Sequence, residues 1–179
     1  RPIGGGNWEI VLPSMFLDHG TLYKLYIEWP GGGAERIPAY VTRAVQDPVT
    51  KAFCAQVWDP KPYEWKNPAP GKRPHPLIYE CHIGMAAEEE KVGTFEEFRL
   101  NVLPKVAELG YDTLQTMALQ EHPYYGPFGY QVANLFALSS RFGTPEEFKA
   151  LVDEAHGLGI AVVMDIVHSH SVDNEAEGL

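Results

Sequence analysis

Cysteine is nearly absent: Cys54 and Cys81 are the only two in 179 residues. Two thiols cannot build the disulfide framework of a small secreted domain, and their scarcity points to a reducing compartment, the cytoplasm. Long apolar runs are missing too, and none approaches the roughly 20 residues that cross a bilayer. The opening residues Arg1 to Gly6 carry no apolar leader and no initiating Met, so the natural N-terminus is expected to lie outside this sequence. Positive charge is scarce, with 14 Lys and Arg against 24 Asp and Glu, a net charge of −10. That balance argues against nucleic acid or an acidic membrane as partner, both of which call for clustered positive charge. It does not oppose a neutral ligand such as a sugar.

What is present suffices for a core: 45% of the residues are hydrophobic and 21% charged, ordinary for a soluble protein. Residues 1–60 read as short strands separated by turns. Trp8 to Leu12, Thr21 to Trp29, Ile37 to Val45 and Ala52 to Trp58 are the candidates, the second with Tyr23, Leu25, Ile27 and Trp29 on one face. With no helical periodicity between them, they predict the C-terminal part of a β-sandwich that continues before Arg1. Residues 61–76 form a linker, because Pro62, Pro68, Pro70, Pro74 and Pro76 block helix and sheet alike.

The rhythm changes after Pro76. Leu77 to Ile83, Thr113 to Leu119 and Ile160 to Met164 read as strands, the last an unbroken apolar run expected to be buried on both faces. Thr94 and Glu97 open a first helix as a capping box, with Phe95, Phe98, Val102, Val106 and Leu109 along its face and Gly110 at its stop. Pro104 should bend it. Thr144, with Pro145 in the first helical position, opens the second helix. The order β-α-β-α-β implies parallel strands joined by right-handed crossovers. An eight-stranded α/β barrel takes about 250 residues, so residues 77–179 are expected to be its first three strands and two helices, incomplete.

Barrel sites sit at the C-terminal ends of the strands, and the third strand ends abruptly in Asp165, His168, Ser169 and His170. Three readings stand open: Asp165, His168 and His170 as metal ligands, Asp165 and His170 as hydrogen-bonding groups for a substrate, or a polar network that caps the strand. Glu80 and His82 share a face at the end of the first strand as weaker candidates. Residues 120–143 form a loop long enough to be functional. Its Tyr124, Tyr125, Phe128 and Tyr130 suit either the apolar face of a sugar or packing against the rim.

Four motifs then combine: Tyr79-Glu80-Cys81-His82-Ile83-Gly84-Met85, Phe128-Gly129-Tyr130, Ser140-Arg141-Phe142-Gly143-Thr144, and Met164-Asp165-Ile166-Val167-His168-Ser169-His170. Together they resemble the 1,4-α-glucan branching enzymes of the α-amylase superfamily. Arg36-Ile37-Pro38-Ala39 and Val57-Trp58-Asp59-Pro60 extend the likeness into the β region, which is similar to the end of that family's carbohydrate-binding-module-like sandwich. The resemblance implies a (β/α)₈ catalytic barrel and an α-1,4-glucan partner such as glycogen, amylose or a starch-like chain, with no cofactor and no metal. It implies that Tyr130 stacks on the glucose at the cleavage site, that His170 hydrogen-bonds that sugar, and that Asp165 orients the groups around it. Catalysis would be a retaining transglycosylation. The nucleophilic Asp and the acid/base Glu are expected beyond Leu179, so no catalytic residue lies in this chain and it should be inactive alone. Another superfamily hydrolase or debranching enzyme is the alternative. So is a non-catalytic glucan-binding piece using some of Trp8, Trp29, Trp58 and Trp65.

Overall fold

Three parallel strands with helices on one side form the second half of the chain in a computed structural model, which describes residues 1–173. The strands are β8 (Ile78–Cys81), β9 (Thr113–Thr116) and β12 (Ala161–Met164), in the order β12-β9-β8 with Tyr79, Leu114 and Val162 in register. Residues 174–179, the last of the expected barrel portion, lie outside the described residues.

The helices start where their caps dictate. Thr94 Oγ1 accepts from the Glu97 amide at 3.2 Å while Glu97 Oε2 accepts from the Thr94 amide at 3.0 Å, and Thr144 with Glu147 repeats the arrangement. Each box satisfies two amides that a helix start leaves orphaned. Pro104 does more than bend the first helix. It splits it into α1 (Phe95–Asn101) and α2 (Leu103–Glu108) at Val102, since proline has no amide to donate and crowds the carbonyl of Leu100. The second is α3 (Pro145–Gly157). Phe95, Phe98, Leu103, Val106 and Leu151 pack from these helices onto Cys81, Leu114 and Ile160 to make the main core. Burying each such side chain contributes about 1.5–3 kcal/mol.

The expectation that the third strand is buried on both faces is corrected. Val163 is 47% and Met164 39% exposed, because β12 is an edge strand with helices against one face only.

The N-terminal region carries three small antiparallel sheets. The first pairs β1 (Pro2–Gly4) with β2 (Asn7–Trp8), so the strand predicted to run to Leu12 ends at Trp8. The run from Thr21 to Trp29 breaks at Lys24 into β3 (Leu22–Tyr23) and β4 (Leu25–Trp29). The halves have different partners: β3 joins β7 (Phe53–Gln56) and β6 (Ala44–Gln46), whereas β4 folds back on β5 (Gly32–Arg36) around Pro30 and Gly31. Ile37, Val41, Ala44, Phe53 and Ala55 form a small core of their own, closed by Ala137 from the second half.

Residues 57–77 hold neither helix nor strand, yet they are strapped to α3. Buried Asp153 accepts from the amides of Lys66 and Asn67, the side chain of Asn67 and the Tyr63 hydroxyl, at 2.9–3.2 Å. Burial works to raise this carboxyl, but the four donors together hold it below the usual carboxylate range. Trp58 Nε1 donates to Glu146 at 2.9 Å, and the Arg43 guanidinium lies 4.8 Å over the Trp58 ring while donating to the Gly143 carbonyl at 2.7 Å. The two halves are thus laced together along α3.

Candidate functional site

The loop after β9 is a built element. Its ends pair as a hairpin, β10 (Gln120–Glu121) against β11 (Asn134–Leu138). The hairpin is anchored by a buried ion pair that the sequence did not announce. Glu121 is fully buried and accepts from the His122 amide (3.0 Å), Ser139 Oγ (3.0 Å), the Ser140 amide (2.6 Å) and Arg141 Nη1 (2.9 Å). Arg141 also donates to the carbonyls of His122 and Pro123 and to Gln46 Oε1 of β6. Burial pushes the Glu121 carboxyl up, and the Ser140 amide and Arg141 guanidinium oppose it.

His122 is buried beside this pair, with Nδ1 hydrogen-bonded to the Gln120 carbonyl at 3.0 Å and Nε2 without a partner among the described residues. Burial lowers its pKa to about 4, the Gln120 bond resists, and the charges of Arg141 and His82 add to the depression. A protonated unfolded state therefore draws the equilibrium away from the fold between pH 6.5 and about 4. Stability should fall with decreasing pH across that window, by at most about 1.4 kcal/mol per pH unit from this residue. Urea unfolding midpoints of wild type and His122→Phe through the window test this; the variant's slope should be shallower, and identical slopes would refute it.

Between the hairpin strands the chain turns tightly enough to place Tyr130. Ala118 (φ 44°) and Phe128 (φ 54°) adopt left-handed backbone conformations, and Gly129 (φ 88°) presses against Ala118. The Phe128 amide donates to the Tyr125 carbonyl at 2.8 Å and the Tyr130 amide to the Pro127 carbonyl at 3.0 Å.

The polar tip of β12 comes alongside. The Asp165 amide continues the parallel ladder to the Thr116 carbonyl (2.9 Å), the Val167 amide donates to Gln120 Oε1 (3.2 Å), and the Val172 amide donates to the Val132 carbonyl (2.9 Å). His168 to His170 form a single 3₁₀ turn. An open cleft of about 610 Å³ results, lined by Tyr130, Gln131, His170 and Asp173 among others. Burial, then the charges of Asp165 and Glu80, raise the Tyr130 phenol above its ordinary value. So Tyr130 and His170 share a cleft, and Asp165 and Glu80 stand within electrostatic reach of Tyr130. Glu80 accepts from Gln115 Nε2 at 3.0 Å.

An aromatic ring and an exposed imidazole at an open cleft, with the half-buried Asp165 carboxylate within electrostatic reach of the ring, suit a ligand with apolar faces and many hydroxyls. Among the described residues no three His, Cys, Asp or Glu side chains converge as metal ligands, which leaves the metal reading of Asp165, His168 and His170 without support. Of the loop aromatics, Tyr125 and Phe128 pack around His82, whereas Tyr124 is exposed.

Comparison with known proteins relates the chain to one group of enzymes. The family described as alpha amylase, catalytic domain, matches residues 101–177. A 1,4-alpha-glucan-branching enzyme of Rhizophagus irregularis is 44% identical over 97% of this chain and 26% of its own length. The 1,4-alpha-glucan-branching enzyme 2-2, chloroplastic/amyloplastic, of Arabidopsis thaliana is 48% identical over 97% of the chain and 23% of its own. The chain thus spans about a quarter of the length of the curated relatives it matches. Among solved structures, a putative alpha amylase from Salmonella typhimurium superimposes with a TM-score of 0.68 at 32% identity, covering 84% of this chain and 24% of the other. The catalytic module of the glycogen-degrading pneumococcal virulence factor SpuA gives a TM-score of 0.66 at 21% identity, covering 81% and 27%, a likeness of fold alone.

Proposed function

We infer that the chain is a segment of a 1,4-α-glucan-branching enzyme, holding the start of its (β/α)₈ barrel and one wall of its glucan site. The parent reaction cleaves an α-1,4 linkage and passes the severed segment to a 6-hydroxyl, creating an α-1,6 branch with retention. The observation that supports the site is the cleft shared by Tyr130 and His170, with Asp165 near enough to Tyr130 for its charge to raise the phenol. In it Tyr130 stacks on a glucose face, His170 hydrogen-bonds a hydroxyl, and Asp165 orients hydroxyls from the strand end. The reacting carboxylates belong to parts of the parent outside this sequence, so the chain alone binds glucan without branching it. Residues 1–60 are read as the end of a carbohydrate-binding-module-like sandwich, residues 61–76 as the connection and the rest as barrel. This is supported by the antiparallel pairing of the first part and the parallel pairing of the last. Two unpaired thiols support a cytoplasmic location, and the charge of −10 speaks for a neutral glucan over nucleic acid or membrane.

Titrating the chain with maltoheptaose while following tyrosine resonances tests the site. Tyr130→Ala should weaken binding about tenfold or more, near 1.4 kcal/mol, and equal affinity of variant and wild type would overturn the assignment. The likeness to the Salmonella typhimurium protein described as an alpha amylase favours a hydrolase as the second reading. Incubating the intact gene product with amylose separates the two: new α-1,6 branches support branching, and release of reducing ends without branches supports hydrolysis.

A further inference from the structure

Tyr130 is aimed by a turn that would not hold itself. Phe128 sits at φ 54°, a conformation costly for a bulky side chain, and is followed by Gly129 at φ 88°. Backbone strain of this kind persists only where the surroundings over-determine it. Besides Ala118, which Gly129 approaches, a side chain reaches the turn from outside the loop: His82, at the end of β8. Its Nε2 lies 2.8 Å from the Phe128 carbonyl. A carbonyl can only accept, so this nitrogen carries the proton. Among the described residues its Nδ1 is buried with no hydrogen-bond partner, so there the side chain's polar anchorage is the one bond to Phe128. Phe142, Tyr125 and Phe128 stand edge-on to the imidazole at 5.7, 6.1 and 5.9 Å between ring centres. Gly84, two residues on, clears room for the same nest, since a Cβ there would lie 2.5 Å from the Tyr125 hydroxyl and 2.7 Å from the Phe142 ring.

We propose that His82 is a positioning residue of the cleft: through its hydrogen bond to the Phe128 carbonyl it fixes the strained turn that presents Tyr130 to the sugar. The inference rests on the glucan reading of the cleft. The bond links the first parallel strand to the loop after the second, so the stacking ring is referenced to the sheet and not merely to its own loop. His82 makes no claim on the substrate, and its effect passes through one backbone oxygen two residues before Tyr130.

The test uses two replacements in the ¹⁵N-labelled chain. His82→Phe keeps a ring in the aromatic nest and removes the donor. His82→Gln restores an amide N–H near the place of imidazole Nε2. In the absence of sugar, the Gly129 and Tyr130 amide resonances should shift or broaden in His82→Phe and stay near their wild-type positions in His82→Gln. With maltoheptaose, the dissociation constant should rise about fivefold in His82→Phe, the scale of one lost hydrogen bond, and change by less than about twofold in His82→Gln. Unmoved Gly129 and Tyr130 resonances in His82→Phe would overturn the clamp. Should His82→Phe not fold, the histidine ring ¹⁵N spectrum of wild type decides: a protonated Nε2 supports the clamp, and a proton on Nδ1 alone overturns it. A wild-type chain that ignores maltoheptaose sinks the glucan reading, while the sugar-free resonances still decide the clamp.

Discussion

Replacing Glu121 with Ala should lower the stability of the chain by about 3–5 kcal/mol, the range for removing one partner of a buried ion pair. The carboxylate has no exposure to water and serves four donors. Its loss strands the Ser139 hydroxyl, the Ser140 amide and part of the Arg141 guanidinium in a site too dry to rehydrate them. Each orphaned buried donor costs about 1–3 kcal/mol, and the uncompensated arginine costs more. Arg141 keeps its bonds to the His122 and Pro123 carbonyls and to Gln46, which is why the penalty does not grow beyond this range. Replacing both partners with apolar residues, Glu121→Leu with Arg141→Met, should recover much of the loss, because a buried pair stabilises little relative to a well-packed apolar one. Urea unfolding of the two single variants and the double variant measures the coupling. A cost below about 1 kcal/mol for Glu121→Ala would mean that water reaches the pair. Because Arg141 joins Glu121 of β10 to Gln46 of β6, the damage should extend to the contact between the two halves of the chain.

The elements legible in the sequence are those specified locally. Apolar spacing along Phe95, Phe98 and Val106, together with the Thr94 and Thr144 caps, places the helices without reference to distant residues, and the structure forms both capping boxes. The parallel order follows from alternation of strand and helix, and β8, β9 and β12 pair accordingly. What escaped the sequence depends on partners far along the chain. Thr21 to Trp29 alternates without interruption, so nothing local marks Lys24 as the point where pairing passes from β7 to β5. Asp153 reads as one more polar helix residue, and only the folded strap of residues 63–67 reveals it as an acceptor. Glu121 and His122, next to Pro123, look like solvated loop; their burial comes from Arg141, Ser139 and Ser140 closing over them. The candidate site divides the same way. The switch from apolar to polar at Asp165 and His170 is visible in the run itself. That Tyr130 stands at the same cleft as His170 depends on pairing between Val172 and Val132, which no spacing rule anticipates.

Gly129→Ala should disable the cleft more thoroughly than removing the Tyr130 ring's neighbours one at a time. At φ 88° a side chain is strained whatever the space around it, by about 1 kcal/mol. Here the space is also taken. The new Cβ would lie 2.6 Å from the Ala118 carbonyl oxygen and 2.8 Å from the Ala118 Cβ. Ala118 cannot step aside, being fully buried and itself held at φ 44° just after β9. Overpacking against such a wall adds about 1–3 kcal/mol, so the variant should lose about 2–4 kcal/mol of stability in all. Whatever native population remains must push the turn away from Ala118, carrying the Phe128 carbonyl off His82 and Tyr130 out of the cleft, and maltoheptaose affinity should fall more than about tenfold. Gly126→Ala is the matched control. Its Cβ would meet only the ring of Tyr124 at 2.7 Å, an exposed side chain free to swing away, and its backbone φ is not positive. Urea unfolding and maltoheptaose titration of the pair should separate them clearly. If Gly129→Ala matches Gly126→Ala in both, the close approach to Ala118 does not set the position of Tyr130, and the strained turn loses its place in the account of the site.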